Sequence, residues 1–522
     1  MSFSNRMSSA GPWVLGSRIT GAQTHAKSDG AHCKLGLWAA PGWLLLGALV
    51  FAPWAYGSTG PRALFVLSLW LIVATGLWLA DCLMQRRWPA VSGYVGCAVL
   101  WLLVQGWWMT FNARAIFETR LGVLLPVPAT VSWAPGSVSQ FDSLSAMILL
   151  TGMLGAFLLV CDLARHRRWR QRIWMTMALS GASLAGFGIL LKLGGEPAMA
   201  LFWPSEKILP DNNFALYRYR GNAGAFLNLV FPLMAGLTWN VFRQAAPKAL
   251  KNLCVTGLFV LLVGIQLNPS RAGGCIALVL GVVLGCSMLR LGWQRCRGRL
   301  SWKILAVRGL VGGFLASALV VILHWGRWDT SWSRLSQAGL DLQQRSPNEV
   351  YKIMAMDADW VGFGPGSFAA IFPSYQLTHD YGRGPVPDIW IHGFWSQAHQ
   401  DYYQTIIEWG WLGSLGWAVL LWGGCFCGAR TLWRVRRNSS HYWLLLGGLL
   451  ALGGVMVHAG VDFPFQTASI QLYVAVLLGV LWASGCVGSQ RGIAPPDGIV
   501  LSFITPPRTA GFPETFQRPG RT

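Results

Sequence analysis

Apolar runs of roughly 18–20 residues recur along this chain, and a run of that length matches a bilayer core about 30 Å thick. Twelve are visible, at 38–56, 63–80, 91–109, 143–162, 173–193, 222–239, 252–268, 272–289, 304–324, 408–428, 442–460 and 468–486. The period-two alternation of a membrane barrel is absent, so the runs read as helices, which satisfy their own backbone polar groups in lipid. Composition agrees: of 522 residues, 53% are hydrophobic and 12% charged, about half the charged share of a soluble domain. The expected architecture is therefore all-α, a polytopic helical membrane protein with about 12 transmembrane helices. Residues 37–324 hold the first nine, 325–407 form a large outer loop, and 408–487 hold the last three. The tails 1–36 and 488–522 are polar or rich in small residues and proline, and are expected to be disordered.

The net charge of +21 would suit nucleic acid, but its placement argues for topology instead. Short connections carrying Arg86 and Arg87, Arg165 to Arg172, Arg243 to Lys251, Arg290 to Lys303 and Arg430 to Arg437 are basic with almost no acid, which marks them as cytoplasmic. The alternate connections are longer and mixed in sign. One orientation satisfies every loop, with both termini inside. None of the eleven cysteines falls in a long outer loop, so no disulfide is expected to hold those loops.

The outer connections carry the polar chemistry. In the loop at 110–142, Pro126, Pro128 and Pro135 interrupt regular structure. The spacing of Val350, Ile353, Met354 and Asp357 predicts a helix over 348–360 lying on or near the membrane surface. Arg218 and Arg220 with Asn222 enter the sixth span, Arg271 sits in a tight turn, His399 precedes the tenth span, and His458 with Asp462 occupies the last outer turn. Arginine suits pyrophosphate because its planar fork makes paired, charge-assisted contacts without a metal. A histidine suits removal of a proton from a hydroxyl nucleophile. A site joining these groups would transfer something from a phosphate leaving group to an alcohol. Each group also has a structural role open to it: headgroup anchoring for Arg218 and Arg220, helix capping for Arg271 and Glu408, turn stabilisation for His458 and Asp462. Gly362, Gly364 and Gly366 mark a turn, with contact to a phosphate donor as their alternative role. Coupled transport is the rival reading, but it calls for ionisable residues at mid-membrane depth, and these spans have almost none.

Five short motifs occur in order: Arg220-Gly-Asn222, Ser270-Arg-Ala-Gly273, Gly362-Phe-Gly-Pro-Gly-Ser-Phe368, Ala398-His-Gln-Asp-Tyr-Tyr-Gln404 with Glu408-Trp-Gly-Trp-Leu-Gly413, and His458-Ala-Gly-Val-Asp-Phe-Pro464. Over roughly 200–470 the chain resembles the O-antigen ligase and polymerase family of bacterial envelope glycosyltransferases. The resemblance implies a glycosyltransferase-C-like bundle of about a dozen helices in the inner membrane, with a large periplasmic loop packed over it. It implies transfer of a glycan from an undecaprenyl-pyrophosphate carrier to a hydroxyl of lipid A core, another glycan or a protein, without metal, nucleotide sugar or other cofactor. The family's essential histidine maps onto His399 and its functional arginines onto Arg271 and onto Arg218 or Arg220. Asn222, Gly364, Gly366, Asp401, Tyr402, Glu408 and His458 are the remaining candidates for substrate contact. Gln400 departs from the family's pattern, which more often has Asn beside the histidine.

Overall fold

The computed structural model describes residues 39–118, 121–202, 212–244, 246–295, 347–378, 395–437 and 439–487. Eight helices come first: α1 (Ala40–Trp54), α2 (Pro61–Met84), α3 (Gly93–Phe111), α4 (Gln140–Leu163), α5 (Arg167–Phe202), α6 (Arg220–Arg243), α7 (Lys248–Leu267) and α8 (Arg271–Arg295). Two short helices of the large loop follow, α9 (Asn348–Asp357) and α10 (Phe368–Thr378), and then α11 (Asp401–Arg434), α12 (Ser440–Ala459) and α13 (Ala468–Val487). Among the described residues, nine helices are long and apolar enough to cross a membrane. Eleven of the expected spans coincide with described helices, and the span at 304–324 lies outside the described residues.

The bundle is centred on α6, which is buried along nearly its whole length from Gly221 to Val241. Lipid tails are as apolar as leucine, so burial alone does not bring such helices together; close backbone approach through small residues does. Gly236 of α6 meets the backbone of Trp443, and Gly447 of α12 meets the backbone of Pro232, so the two helices touch main chain to main chain at two levels. A second, smaller core lies over the bundle, built from Val350, Tyr351, Met354, Phe368, Phe372, Trp395 and Ile407. It corrects one expectation. The apolar face of α9, with Val350, Tyr351 and Met354, packs into this core and not onto a lipid surface.

A second correction concerns the loop at 110–142, which contains an antiparallel hairpin, β1 (Ala115–Glu118) with β2 (Val123–Pro126). Strands of four residues are too short for their alternation to stand out from the apolar background. Pro126 closes the ladder opposite Ala115, at a strand end where its missing N–H costs nothing.

α11 is broken at Gly410, where φ is 63° and ψ is −173°. That region is essentially restricted to glycine. A broken helix in a membrane leaves amides and carbonyls that lipid cannot satisfy. Here a crossing segment, 359–364, supplies the partners. Phe363 and Gly364 donate their amides to the carbonyls of Ile407 and Glu408 at 2.9 and 3.0 Å. Trp411 and Leu412 donate to the carbonyls of Asp359 and Trp360 at 3.2 and 3.0 Å. From α3, the Gln105 side-chain amide donates to the carbonyls of Val361 and Trp409 at 3.1 and 2.8 Å. The crossing works only because Gly362 faces Gly410: a side chain on either would overlap the other segment's backbone. Gly410→Ala is therefore expected to destabilise the protein by about 3 kcal/mol or more, read as a lowered melting temperature in detergent. Gly96→Ala, on α3 with nothing near its would-be side chain, should leave the melt unchanged or raise it slightly.

Candidate functional site

The crossing segment leads directly to the polar cluster. On the first part of α11, Gln404 and Glu408 are one turn apart and both buried. The Gln404 amide donates to Glu408 Oε1 at 2.9 Å, while its oxygen accepts from the amide of Ala398 at 2.9 Å. The second carboxylate oxygen of Glu408 accepts from the Gly366 amide at 3.0 Å. Glu408 thus clamps the 362–368 turn on one side and, through Gln404, fixes the backbone just before His399 on the other.

His399 lies beyond the N-terminus of α11, and three aromatic rings stand edge-on around its imidazole. Phe463 is at 4.9 Å, Trp395 at 5.2 Å and Tyr219 at 6.3 Å between centroids. Tyr219 and Phe463 also stack face to face at 5.2 Å. The fourth neighbour is charged: His399 Nδ1 lies 3.4 Å from Asp462 Oδ1. The other oxygen of Asp462 lies 3.8 Å from Nε2 of His458, an ion-pair separation and too long for a hydrogen bond. Burial alone would push the Asp462 carboxyl up. The two flanking imidazoles outweigh it and hold the carboxyl down at about 2. Asp462 is therefore a fixed negative charge beside His399 throughout the ordinary pH range. It keeps the imidazole oriented.

The arginine-bearing segments meet at the start of α6, and that end of α6 lies against the same carboxylate. Asp462 lies directly against Gly221 at the start of α6, leaving no space for a side chain there. The approach to α6 is a tight turn closed by the Phe214–Tyr217 bridge. Tyr217 points inward and shares a hydrogen bond of 2.8 Å with Ser469, whereas Arg218 is exposed. Arg220 opens α6 and is half-buried. Its carbonyl accepts from the side-chain amide of Asn268 at 3.2 Å, and Asn228 donates to the carbonyl of Gly273 at 2.8 Å. These two bonds seat the turn containing Arg271, also half-buried, against the first turns of α6. Gly224 and Gly273 make that approach possible, since their main chains nearly touch.

The expected site residues therefore fall into two groups. Gathered around Asp462 and the start of α6 are His399, His458, Arg220, Asn222 and the turn of Arg271, with Arg218 exposed just before the helix. Asn222 is buried with its side-chain oxygen lacking a hydrogen-bond partner, and His458 is fully buried with neither ring nitrogen hydrogen-bonded. Asp401, Tyr402, Glu408, Gly364 and Gly366 instead make bonds within the protein. Asp401, fully buried, accepts from the Phe465 amide at 2.8 Å and the Gln466 side chain at 3.1 Å. Tyr402 donates to the carbonyl of Met456 at 2.6 Å, and the amides of Gly364 and Gly366 are both taken by Glu408. His379 and His392 lie outside the described residues. The aromatic frame of Tyr219, Trp395 and Phe463, and the clamp of Gln404, were not singled out by sequence reasoning. The one available signal was the Tyr-Arg-Tyr-Arg alternation at 217–220. Among the described residues, no three His, Cys, Asp or Glu side chains gather closely enough to hold a metal ion.

Asp401 is the latch holding the 462–466 turn against α11, and through it Asp462 against His399. Asp401→Ala should cost about 1–2 kcal/mol, since it strands two half-buried donors. Hydrogen exchange at residues 463–467 should rise in parallel, and unchanged exchange there would show that the latch is not what holds the turn.

No protein-family model matches the chain, and no curated protein matches it. The membrane-embedded helices and the geometry around Asp462 are what bear on its activity.

Proposed function

We propose that the protein is an integral-membrane glycosyltransferase of the O-antigen-ligase kind, with about twelve spans in the bacterial inner membrane and its site on the periplasmic side. The alternating charge of the connections supports that orientation. In this reading the acceptor hydroxyl attacks the anomeric carbon of a lipid-linked glycan and inverts it. His399 accepts the hydroxyl proton, and Asp462 stabilises the imidazolium that results. Arg271, with Arg218 or Arg220, binds the pyrophosphate and offsets the charge that builds on it as the bond to the sugar breaks.

One observation carries the reading. His399 and the start of α6 come from segments far apart in the sequence, yet both meet at one buried carboxylate, and the turn containing Arg271 is bonded to that same end of α6. A chain needing these residues only as lipid anchors has no reason to set a histidine 3.4 Å from a carboxylate inside an aromatic frame. The acceptor that fits the resemblance best is a lipid A core hydroxyl. A second lipid-linked glycan, or a protein hydroxyl, would use the same chemistry.

The test is transfer by purified protein in liposomes supplied with undecaprenyl-pyrophosphate-linked glycan and lipid A core. His399→Ala should lower the rate by about 10²–10⁴-fold, the range of a general base, while the protein still melts cooperatively. Arg271→Ala should weaken donor binding as well as slow transfer. Undiminished transfer by His399→Ala would overturn the assignment of His399. A ladder of products in place of one adduct would identify a polymerase.

A further inference from the structure

The β1–β2 hairpin and the loop after it carry a second feature that the transfer chemistry does not use. All four residues of β2 are exposed, Val123, Leu124 and Leu125 among them, and Leu121 before it is 69% exposed. A water-facing loop does not ordinarily gather so much apolar surface in so few residues. A face of α3, the helix leading into the hairpin, also looks outward, through Leu100, Val104, Trp108 and Phe111. Because α3 is a candidate span, that face meets lipid. The hairpin begins four residues beyond the end of α3, at the level where spans leave the acyl region. Trp133, 87% exposed, stands beside it. Tryptophan is the side chain most at home at that boundary.

The loop cannot swing away from this level. Asn112, at the end of α3, is buried and donates from its side-chain amide to the carbonyls of Val131, Ala134 and Pro135. Its side-chain oxygen accepts the Val131 amide at 2.7 Å. Trp108 donates to the Pro135 carbonyl at 3.2 Å, and Arg114 holds the carbonyls of Ser132 and Ala134. A two-stranded ribbon also has two open edges, whose unpaired backbone groups exclude it from the acyl core. Its apolar side chains and its open edges are satisfied together only in the interfacial layer, where acyl chains and hydrated headgroups meet.

We propose that the β1–β2 hairpin is a membrane-interface anchor, embedded among the phospholipids of the leaflet on the His399 side. It is coupled to the candidate site by a short path. Ser137 donates its amide to the carbonyl of Met109, Val138 donates to the carbonyl of Phe363, and the Ser143 hydroxyl donates to the carbonyl of Pro365. The 362–368 turn is in turn clamped by Glu408. The anchor therefore sets the depth of the turn, and of His399 beyond it, relative to the bilayer surface. The proposal does not depend on which reaction the site performs.

The test replaces Leu124, exposed and apolar, with the photoreactive p-benzoylphenylalanine in the full chain, reconstituted in phosphatidylcholine vesicles. The control carries the same replacement at Lys352, exposed on α9. After irradiation, intact-mass analysis should show lipid adducts at position 124 in about tenfold excess over position 352, since an apolar probe held at the interface meets acyl chains. Both variants should elute as single species before irradiation, and wild-type-like melts establish that the fold is intact. Equal lipid yields at the two positions would overturn the proposal. So would crosslinks from position 124 mainly to a second copy of the chain, or to another part of the same chain.

Discussion

Hydrocarbon offers no partner to an open amide or carbonyl, and this protein interrupts a membrane helix regardless. The break at Gly410 is tolerable because the 359–364 segment crosses it and exchanges four backbone hydrogen bonds with the severed helix. Gln105 closes two further carbonyls from α3. Much that positions the candidate site follows from that exchange. The crossing segment continues into the 362–368 turn, Glu408 holds the turn, Gln404 holds Glu408 and the Ala398 amide, and His399 comes next. A continuous helix would have carried α11 straight on and left the turn without its backbone partners.

Two buried carboxylates complete the arrangement, and they act differently. Asp401 satisfies backbone and side-chain donors of the 465–466 segment. Its role is to bring the last outer turn onto α11. Asp462, carried by that turn, faces two imidazoles and the start of α6. A carboxylate between two histidines is a poor choice for stability alone, since a buried ion pair returns little beyond its desolvation cost. Its value lies in fixing one ring orientation of His399.

Much of this was legible in the sequence, for identifiable reasons. The spans were readable because a bilayer imposes length and apolarity on every one of them, and α6 and α13 differ from soluble helices over their full extent. His399, Arg271, Arg220 and Asp462 were readable as outward-facing polar residues at span ends, where few such residues occur. What escaped was whatever depends on contact between distant segments. Glu408 and Asp401 look like neighbours of His399 in one motif, yet one clamps a glycine turn and the other a second loop. Nothing local distinguishes Gly362 and Gly410 from the chain's other glycines, because only the crossing makes them necessary. The hairpin at 115–126 escaped for a third reason: in a chain this apolar, two short strands with exposed Leu and Val look like any other loop beside a span.

The same contacts explain why the polar chemistry sits at a helix break and not within an intact span. Charged groups at mid-membrane depth are costly, so a polar cluster of this kind belongs near one surface. A surface loop with no disulfide among its described residues has to be held by its bonds to the bundle. The break solves both problems at once. It turns part of a span into main chain that can bond to the loop, and it places the first turns of α11, with Gln404 and Glu408, where the loop can reach them. The loop after the hairpin reaches the same turn from the other side, through Val138 and Ser143. His399 is thereby located both by the broken helix and by the loop after α3.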